Sequence, residues 1–315
     1  MATGKPDVLF VNPLYNYPLE EVAGIFENHK YWEADDKDAL LASLSSACRA
    51  AVTRSTFSSE MMDKLPNLGI IAVCGVGYDG VDDEAARQRG IAVTNTPDVL
   101  TEDVADYALA LLLAVARLIP QGERYLREGR WKREGPMRYG RRVHGGKLGV
   151  LGLGRIGSSL ARRCEALSMC IGYHNRNQRE DVAYQYFDSA EALALWSDFL
   201  VVVTPGGDST LRLVNAEVLD ALGPDGILIN VGRGSTVDDD ALAAALSEGR
   251  IAGAGLDVFV DEPNVPEAFL GLEDKLVLQP HQASATHDTR RAMSRLCIDN
   301  VSAFLDGREL LSPVP

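Results

Sequence analysis

The sequence predicts an α/β protein built from two parallel-sheet domains. Three observations carry this. Short runs rich in Val, Ile and Leu alternate with helical patterns along the chain, the β-α alternation of parallel sheets. The alternation comes in two series, with a long helical stretch and a polar segment between them. The length, 315 residues, exceeds one ordinary core.

In the first series the candidate strands are "DVLFVN", "CRAAVT", "LGIIAVC" and "IAVTNT". "DDKDALLASLSSA" and "DDEAARQRG" are helices between them. "TEDVADYALALLLAVARLI" then reads as a long helix, with Thr101 as its N-cap and acids in its first turn. Asp106 and Arg117 interrupt its apolar run, which is too short and too charged for a membrane span. It fits a helix buried against the fold or a partner subunit. The arginine-rich "REGRWKREGPMRYGRRVHGG" reads as a surface connection.

The second series begins at "KLGVLGLG" and continues with the strands "MCIGYHN", "DFLVVVTP", "GILINVG", "IAGAGLDVF" and "KLVLQPH". Helices such as "DDDALAAALSEGR" separate most of them. The final helix, "THDTRRAMSRLCIDNVSAFLDG", has no strand after it, and periodicity does not assign it to either domain.

Apolar residues at 46% and charged residues at 24% fit a soluble globular chain. The formal charge of −14, with no dense basic cluster, makes nucleic acid and anionic membranes poor partners. A local basic pocket for a small anion remains compatible with it. "MATGKPDVLFVN" lacks the pattern of a signal peptide. The five cysteines, Cys48, Cys74, Cys164, Cys170 and Cys297, are odd in number and show no CxxC spacing. A reduced, cytoplasmic protein is the simplest expectation.

"GLGRIG" places Gly152, Gly154 and Gly157 in G-x-G-x-x-G spacing, after a strand and at the start of a helix. The first glycine allows the tight turn and the second lets a pyrophosphate approach the backbone. The third lets helix and strand pack closely. The helix N-terminus offers N–H groups to phosphates. This is a dinucleotide site. The next strand ends in "HNRNQ", where such sites commonly carry an acid for the ribose hydroxyls. Asn175 removes that charge and Arg176 can grip a phosphate, with Arg179 near enough in sequence to help. The stretch reads as an NADP pocket, with NAD bound more weakly.

Three polar residues follow three consecutive strands of this series: Arg233 in "ILINVGRG", Glu262 in "GAGLDVFVDEP" and His281 in "KLVLQPH". Ligands of open parallel sheets lie beyond such strand ends. A guanidinium can hold a carboxylate or polarise a ketone, an imidazolium can give a proton, and a carboxylate can orient the imidazole. That set suits reduction of a 2-keto acid. Asp257 or Asp261 are alternative partners for the histidine.

The chain resembles the D-isomer-specific 2-hydroxyacid dehydrogenases. The matching runs are "NTPDVLTEDVADYALALLLA", "GKLGVLGLGRIG", "INVGRGSTVDDDAL", "GRIAGAGLDVFVDEP" and "LQPHQASATHDTR". The resemblance implies that Arg233, Glu262 and His281 are the catalytic residues and that Asp257 contacts the nicotinamide carboxamide. It extends the cofactor contacts to Arg155, Ile156, Thr204, Val231 and Thr101. It also implies a flavodoxin-like substrate domain of residues 1–98 plus 288–315, split around a Rossmann domain of residues 99–287. A homodimer contacting through the long helix is implied too. "HNRNQ" is similar to the NADP-dependent glyoxylate/hydroxypyruvate reductases and to plant hydroxyphenylpyruvate reductases. "HQASAT" and "VVTPGGDSTLRLVN" depart from the family pattern near the expected site.

In "CGVGYDG" the N–H groups of Val76 and Gly77 can form an anion-holding nest, which the family uses for the substrate carboxylate. Arg54, after another first-series strand, can touch a larger or acidic substrate. The expected activity is NADPH-dependent reduction of small 2-keto acids, glyoxylate and hydroxypyruvate first, to D-2-hydroxy acids. A reductase of aromatic or sugar 2-keto acids is the alternative, with "NPLYNYPLE" and Trp131 shaping its pocket. A nucleotide-sensing corepressor is the third reading, opposed by the complete Arg, Glu and His set. No metal site is expected, since "DDD" at 238–240 opens a helix and complements its dipole. His281 and His287 lack helical ligand spacing.

Overall fold

The computed structural model describes residues 4–15, 17–54 and 56–314. Met1, Ala2 and Thr3 of the leading stretch and Asn16 of "NPLYNYPLE" lie outside the described residues. The chain divides into two compact units, Met1–Leu100 with Ala285–Pro315, and Thr101–Ser284.

The first unit contains β1 (Asp7–Phe10), β2 (Glu27–Lys30), α1 (Lys37–Leu44), β3 (Ala50–Thr53), α2 (Ser59–Asp63), β4 (Ile70–Val73), α3 (Asp83–Gln88) and β5 (Ala92–Thr94). Its strands are all parallel, in the order β2-β1-β3-β4-β5. This is a flavodoxin-like order, which reverses between β1 and β3. Every residue of β3 and β4 is buried, and so both read as plain apolar runs. β2 is "ENHK", a polar edge strand with no apolar signal. Asp36, Ser58 and Asp82 each cap their helix through a side chain that accepts a backbone N–H.

The second unit contains α4 (Thr101–Ala116), α5 (Ile119–Arg127), α6 (Arg130–Glu134), β6 (Lys147–Leu151), α7 (Arg155–Glu165), β7 (Cys170–His174), β8 (Gln185–Tyr186), α8 (Ala190–Trp196), β9 (Phe199–Val202), α9 (Ala216–Leu222), β10 (Ile227–Asn230), α10 (Asp239–Glu248), β11 (Gly253–Leu256) and β12 (Leu276–Leu278). The strands are parallel, in the order β12-β11-β10-β9-β6-β7-β8. This is the Rossmann order, reversing between β6 and β9. A core of Leu193, Leu200, Leu219, Leu228 and Leu246, with neighbours, joins this sheet to helices α8 to α10.

Three local expectations change. Thr101 is the first helical residue, not a cap outside the helix. The long helix stops at Ala116, because Leu118 takes a left-handed φ of 57°. The arginine-rich segment is not a bare connection: α5 and α6 occupy its first part, with Gln121 and Tyr125 buried. Asp106 has a structural use, since Arg163 of α7 pairs with it at 2.5 Å and with Glu102 at 2.8 Å. Among the described residues no helix is long and apolar enough to cross a membrane.

The final helix, α11 (His287–Leu305), is capped by Thr286 and belongs to the first unit, against β3 and β4. Its Ser294 hydroxyl donates to the Tyr15 carbonyl at 2.8 Å.

Candidate active site

β10, β11 and β12 are neighbours and parallel, so their carboxyl ends share one edge. The loop after β10 is tied back by buried Asn230. Its amide donates to the Arg233 carbonyl at 2.9 Å, and its oxygen accepts the Gly232 N–H at 3.0 Å. A Cβ on Gly232 would lie 2.7 Å from the Thr204 carbonyl oxygen, and one on Gly234 only 2.0 Å from the Phe259 backbone. Glycine on both sides therefore lets Arg233 ride close to its neighbours. Its Nη1 donates to the Gly232 carbonyl at 2.9 Å.

Phe259 in turn donates its N–H to Glu262 Oε1 at 3.0 Å, and Glu262 Oε2 lies 2.7 Å from His281 Nδ1. Burial pushes the Glu262 carboxyl up. The bonds from His281 and Phe259, with the charges of His281 and Arg233, outweigh it and hold the group below the usual glutamate range. A charged Glu262 fixes the proton on Nδ1 and leaves Nε2 to face the chemistry. The structure thus links the ends of β11 and β12 directly and sets Arg233 near enough for its charge to act on the pair.

Asp257 braces the histidine loop. It is fully buried, and its two carboxylate oxygens accept the Gln282 and Ala283 N–H groups at 2.7 and 2.8 Å. Its carbonyl accepts the His281 N–H at 2.9 Å. The carboxylate faces the histidine loop and satisfies two of its N–H groups. Burial raises its carboxyl above the ordinary range despite these bonds. Sequence reasoning missed Asn230, Tyr107 and Gln279. The Tyr107 hydroxyl donates to Gln279 Oε1 at 2.8 Å, and burial, then the Asp257 charge, pushes its pKa up to about 12. Only Asn230, a polar residue ending an apolar strand, left a readable signal.

The glycine loop joins β6 to α7. A Cβ on Gly157 would meet the Gly152 carbonyl oxygen at 2.4 Å, so the helix can approach the strand only with glycine there. A Cβ on Gly154 would meet nothing within 4 Å, which leaves space over the loop for a pyrophosphate. Across the point of strand reversal, Thr204 follows β9 with its hydroxyl buried and without a protein partner. An orphaned buried hydroxyl is what a ligand atom would satisfy. These residues fit a dinucleotide. Arg155 and Ile156 lie in the first turn of α7, and buried Val231 follows β10. Thr101, only 9% exposed, offers little surface to a ligand. Gly157→Val is expected to cost about 1–3 kcal/mol through overpacking and to weaken cofactor binding. Thermal unfolding and a fluorescence titration with NADPH check this, and unchanged binding would contradict the close-approach argument.

A family model described as "D-isomer specific 2-hydroxyacid dehydrogenase, NAD binding domain" matches residues 109–283. Glyoxylate/hydroxypyruvate reductase A of Arabidopsis thaliana is 43% identical, with 98% of each chain covered. The chain belongs to the D-isomer-specific 2-hydroxyacid dehydrogenase family. A 2-ketogluconate reductase of Gluconobacter oxydans is 41% identical to this dehydrogenase, over 99% of each chain. Among solved structures, an NADPH-dependent glyoxylate/hydroxypyruvate reductase from Sinorhizobium meliloti, in complex with NADP and malonate, is 48% identical. It has a TM-score of 0.93 over 99% of this chain and 97% of that one. The protein is an NAD(P)-dependent 2-hydroxyacid dehydrogenase.

In this dehydrogenase the end of β7 divides its tasks. Asn175 Oδ1 accepts the Leu153 N–H at 2.7 Å and braces the glycine loop. Arg179, read from the sequence as a second phosphate ligand, is committed elsewhere. It donates to the Leu153 carbonyl at 2.9 Å and to Ser158 Oγ at 2.8 Å, and it pairs with Asp181. Arg176 is exposed. In "HQASAT", Gln282 turns its amide back to the Pro280 carbonyl at 3.2 Å and Ala283 is buried. In the other unit, the Val76 carbonyl accepts from the Asn95 amide at 2.7 Å, and the Gly75 carbonyl accepts the Thr96 N–H. These bonds fix the loop by its carbonyls.

Proposed function

We propose that the dehydrogenase reduces small 2-keto acids, glyoxylate and hydroxypyruvate first, to D-2-hydroxy acids with NADPH. The observation that carries this reading is the 2.7 Å pair of His281 and Glu262 at the same sheet edge as Arg233. The Arg233 guanidinium binds the substrate and polarises its ketone. His281 gives a proton from Nε2 to the oxygen that becomes hydroxyl, and Glu262 holds the ring through Nδ1. The nicotinamide, when bound, supplies the hydride. Val76 and Gly77 hold the substrate carboxylate by their N–H groups. A homodimer through the region of α4 to α6 accords with the exposed Leu126, Trp131 and Tyr139 there.

NADP preference rests on Arg176, a cation next to Asn175, which stands in place of the acid that would repel a 2′-phosphate. Arg176→Ala is expected to weaken NADPH binding about ten- to a hundredfold, the worth of one charged hydrogen bond, with NADH little changed. Equal losses for both would remove the assignment. Spectrophotometric NADPH oxidation with a panel of keto acids tests the function itself. Turnover of none of them would refute it.

A further inference from the structure

The end of β7 and the glycine loop are bonded into one piece. The Gly152 N–H donates to the His174 carbonyl at 3.0 Å, and the Leu153 N–H to Asn175 Oδ1 at 2.7 Å. Residues 175–179 then make a short excursion that carries the exposed Arg176. Its far end is held twice. The hydroxyl of Tyr173, a fully buried residue of β7, accepts the Arg179 N–H at 2.8 Å and donates to the Arg179 carbonyl at 3.2 Å. Both backbone groups of this loop residue thus hang on a single oxygen from the core. The Arg179 side chain makes the second hold. Its Nη1 donates to the Leu153 carbonyl at 2.9 Å and to Ser158 Oγ at 2.8 Å, in the helix that opens at the glycine loop.

Arg179 has little left to offer a phosphate. Its Nε donates to Asp181 Oδ1 at 2.9 Å, and Nη2 pairs with Oδ2 of the same carboxylate. With Nε, Nη1 and Nη2 all engaged, most of the donor fork is used, and Asp181 offsets the charge. The other cation of the excursion is Arg176. A cation in a free loop has to be ordered when its ligand arrives, and that ordering weakens the contact. A loop pinned at both ends presents the cation already placed. NADH has no 2′-phosphate, so the order of this loop matters to NADPH far more than to NADH.

We propose that Tyr173 and Arg179 are positioning residues that set a preference for NADPH over NADH by holding the Arg176 loop against the glycine loop. The proposal rests on the NADP reading above, with Arg176 as the phosphate ligand. Tyr173 acts through the backbone of the loop, and Arg179 by tying it to Leu153 and Ser158.

The test measures dissociation constants for NADPH and NADH by fluorescence titration of the full chain, with their ratio as the readout. Tyr173→Phe removes one oxygen and keeps the ring, with its edge contact to Tyr186 at 5.5 Å between centroids. It is expected to lower the preference for NADPH about three- to tenfold, the worth of a neutral hydrogen bond, with NADH binding held to within about twofold. In an Arg176→Ala background the same substitution is expected to leave the ratio unchanged, because the loop then carries no phosphate ligand to position. A purely structural tyrosine would weaken both cofactors alike, and a direct phosphate contact would show equally in both backgrounds. Arg179→Gln combined with Asp181→Asn leaves the net charge unchanged and releases the loop from its outer side. This pair should lower the ratio by a similar factor, and it decides the question if Tyr173→Phe does not fold. A ratio within about twofold of wild type in either folded variant, or an equal fall with and without Arg176, overturns the proposal. Should Arg176→Ala alone lower the preference in that event, the NADP reading stands and only the brace falls. A wild type without the preference, or one whose preference survives Arg176→Ala, removes both.

Discussion

His281→Asn is expected to lower kcat by about 10³-fold or more while NADPH binds within about twofold of wild type. General acid catalysis contributes roughly 10²–10⁴-fold in rate, and an amide has no proton to give at neutral pH. Asparagine is the informative choice because of the backbone. His281 sits at a φ of 54°, in the left-handed region, which asparagine tolerates better than most residues. The loop should therefore survive, and the shorter amide side chain can still donate toward Glu262. A fall in kcat at unchanged NADPH affinity is then a loss of chemistry and not of structure. Stopped-flow single turnovers and a fluorescence titration separate the two. Turnover within about tenfold of wild type would sink the assignment of His281 as proton donor. Glu262→Gln should cost less, since it keeps a hydrogen-bond partner for the ring and removes only the carboxylate's charge.

Much of this was legible in the residues, and what was not has physical reasons. Buried parallel strands such as β3, β4, β9 and β10 announce themselves because both faces are covered and nearly every position is apolar. β2 and β8 sit at sheet edges, where one strand is polar and the other only two residues long. Their pairing is decided by neighbours, not by their own pattern. α5 hid for a related reason: its buried residues, Gln121 and Tyr125, are not aliphatic. At the site, Arg233, Glu262 and His281 could be read from strand-end positions because parallel order brings successive strand ends to one edge. The contacts that hold them could not. Arg176 and Arg179 look alike in the sequence, yet only tertiary contacts with Leu153, Ser158 and Asp181 commit Arg179 to the glycine loop. Likewise, nothing local tells whether an aspartate at the end of β11 faces a ligand or the backbone of the next strand's loop.

Asp257→Ala is the variant that distinguishes those two possibilities, and its expected effect is large in both stability and rate. The substitution leaves the Gln282 and Ala283 N–H groups without their acceptor, in a place from which Asp257 itself has no solvent contact. An unpaired buried donor costs about 1–3 kcal/mol, so the loss of both acceptor bonds should lower stability by several kcal/mol. The loop they anchor begins at His281, whose left-handed backbone is maintained partly by its own N–H bond to the Asp257 carbonyl. With the carboxylate gone, the ring is expected to leave its 2.7 Å register with Glu262, and kcat to fall about a hundredfold, the cost of misplacing a catalytic group by about an ångström. Asp257→Asn keeps one acceptor oxygen but turns an amide donor toward a backbone donor, so it should lie nearer to alanine than to wild type. Burial raises the native carboxyl above its unfolded value, so on acidification the folded chain takes up this proton before the unfolded one does. The Asp257 contribution to stability therefore declines as pH rises from the ordinary aspartate value through the raised one, and Asp257→Ala should abolish that slope. The decisive comparison is NADPH affinity. If the aspartate positions the histidine loop, kcat and thermal stability fall together while NADPH binding holds to within about threefold; a selective loss of NADPH binding at intact stability would instead return Asp257 to the nicotinamide.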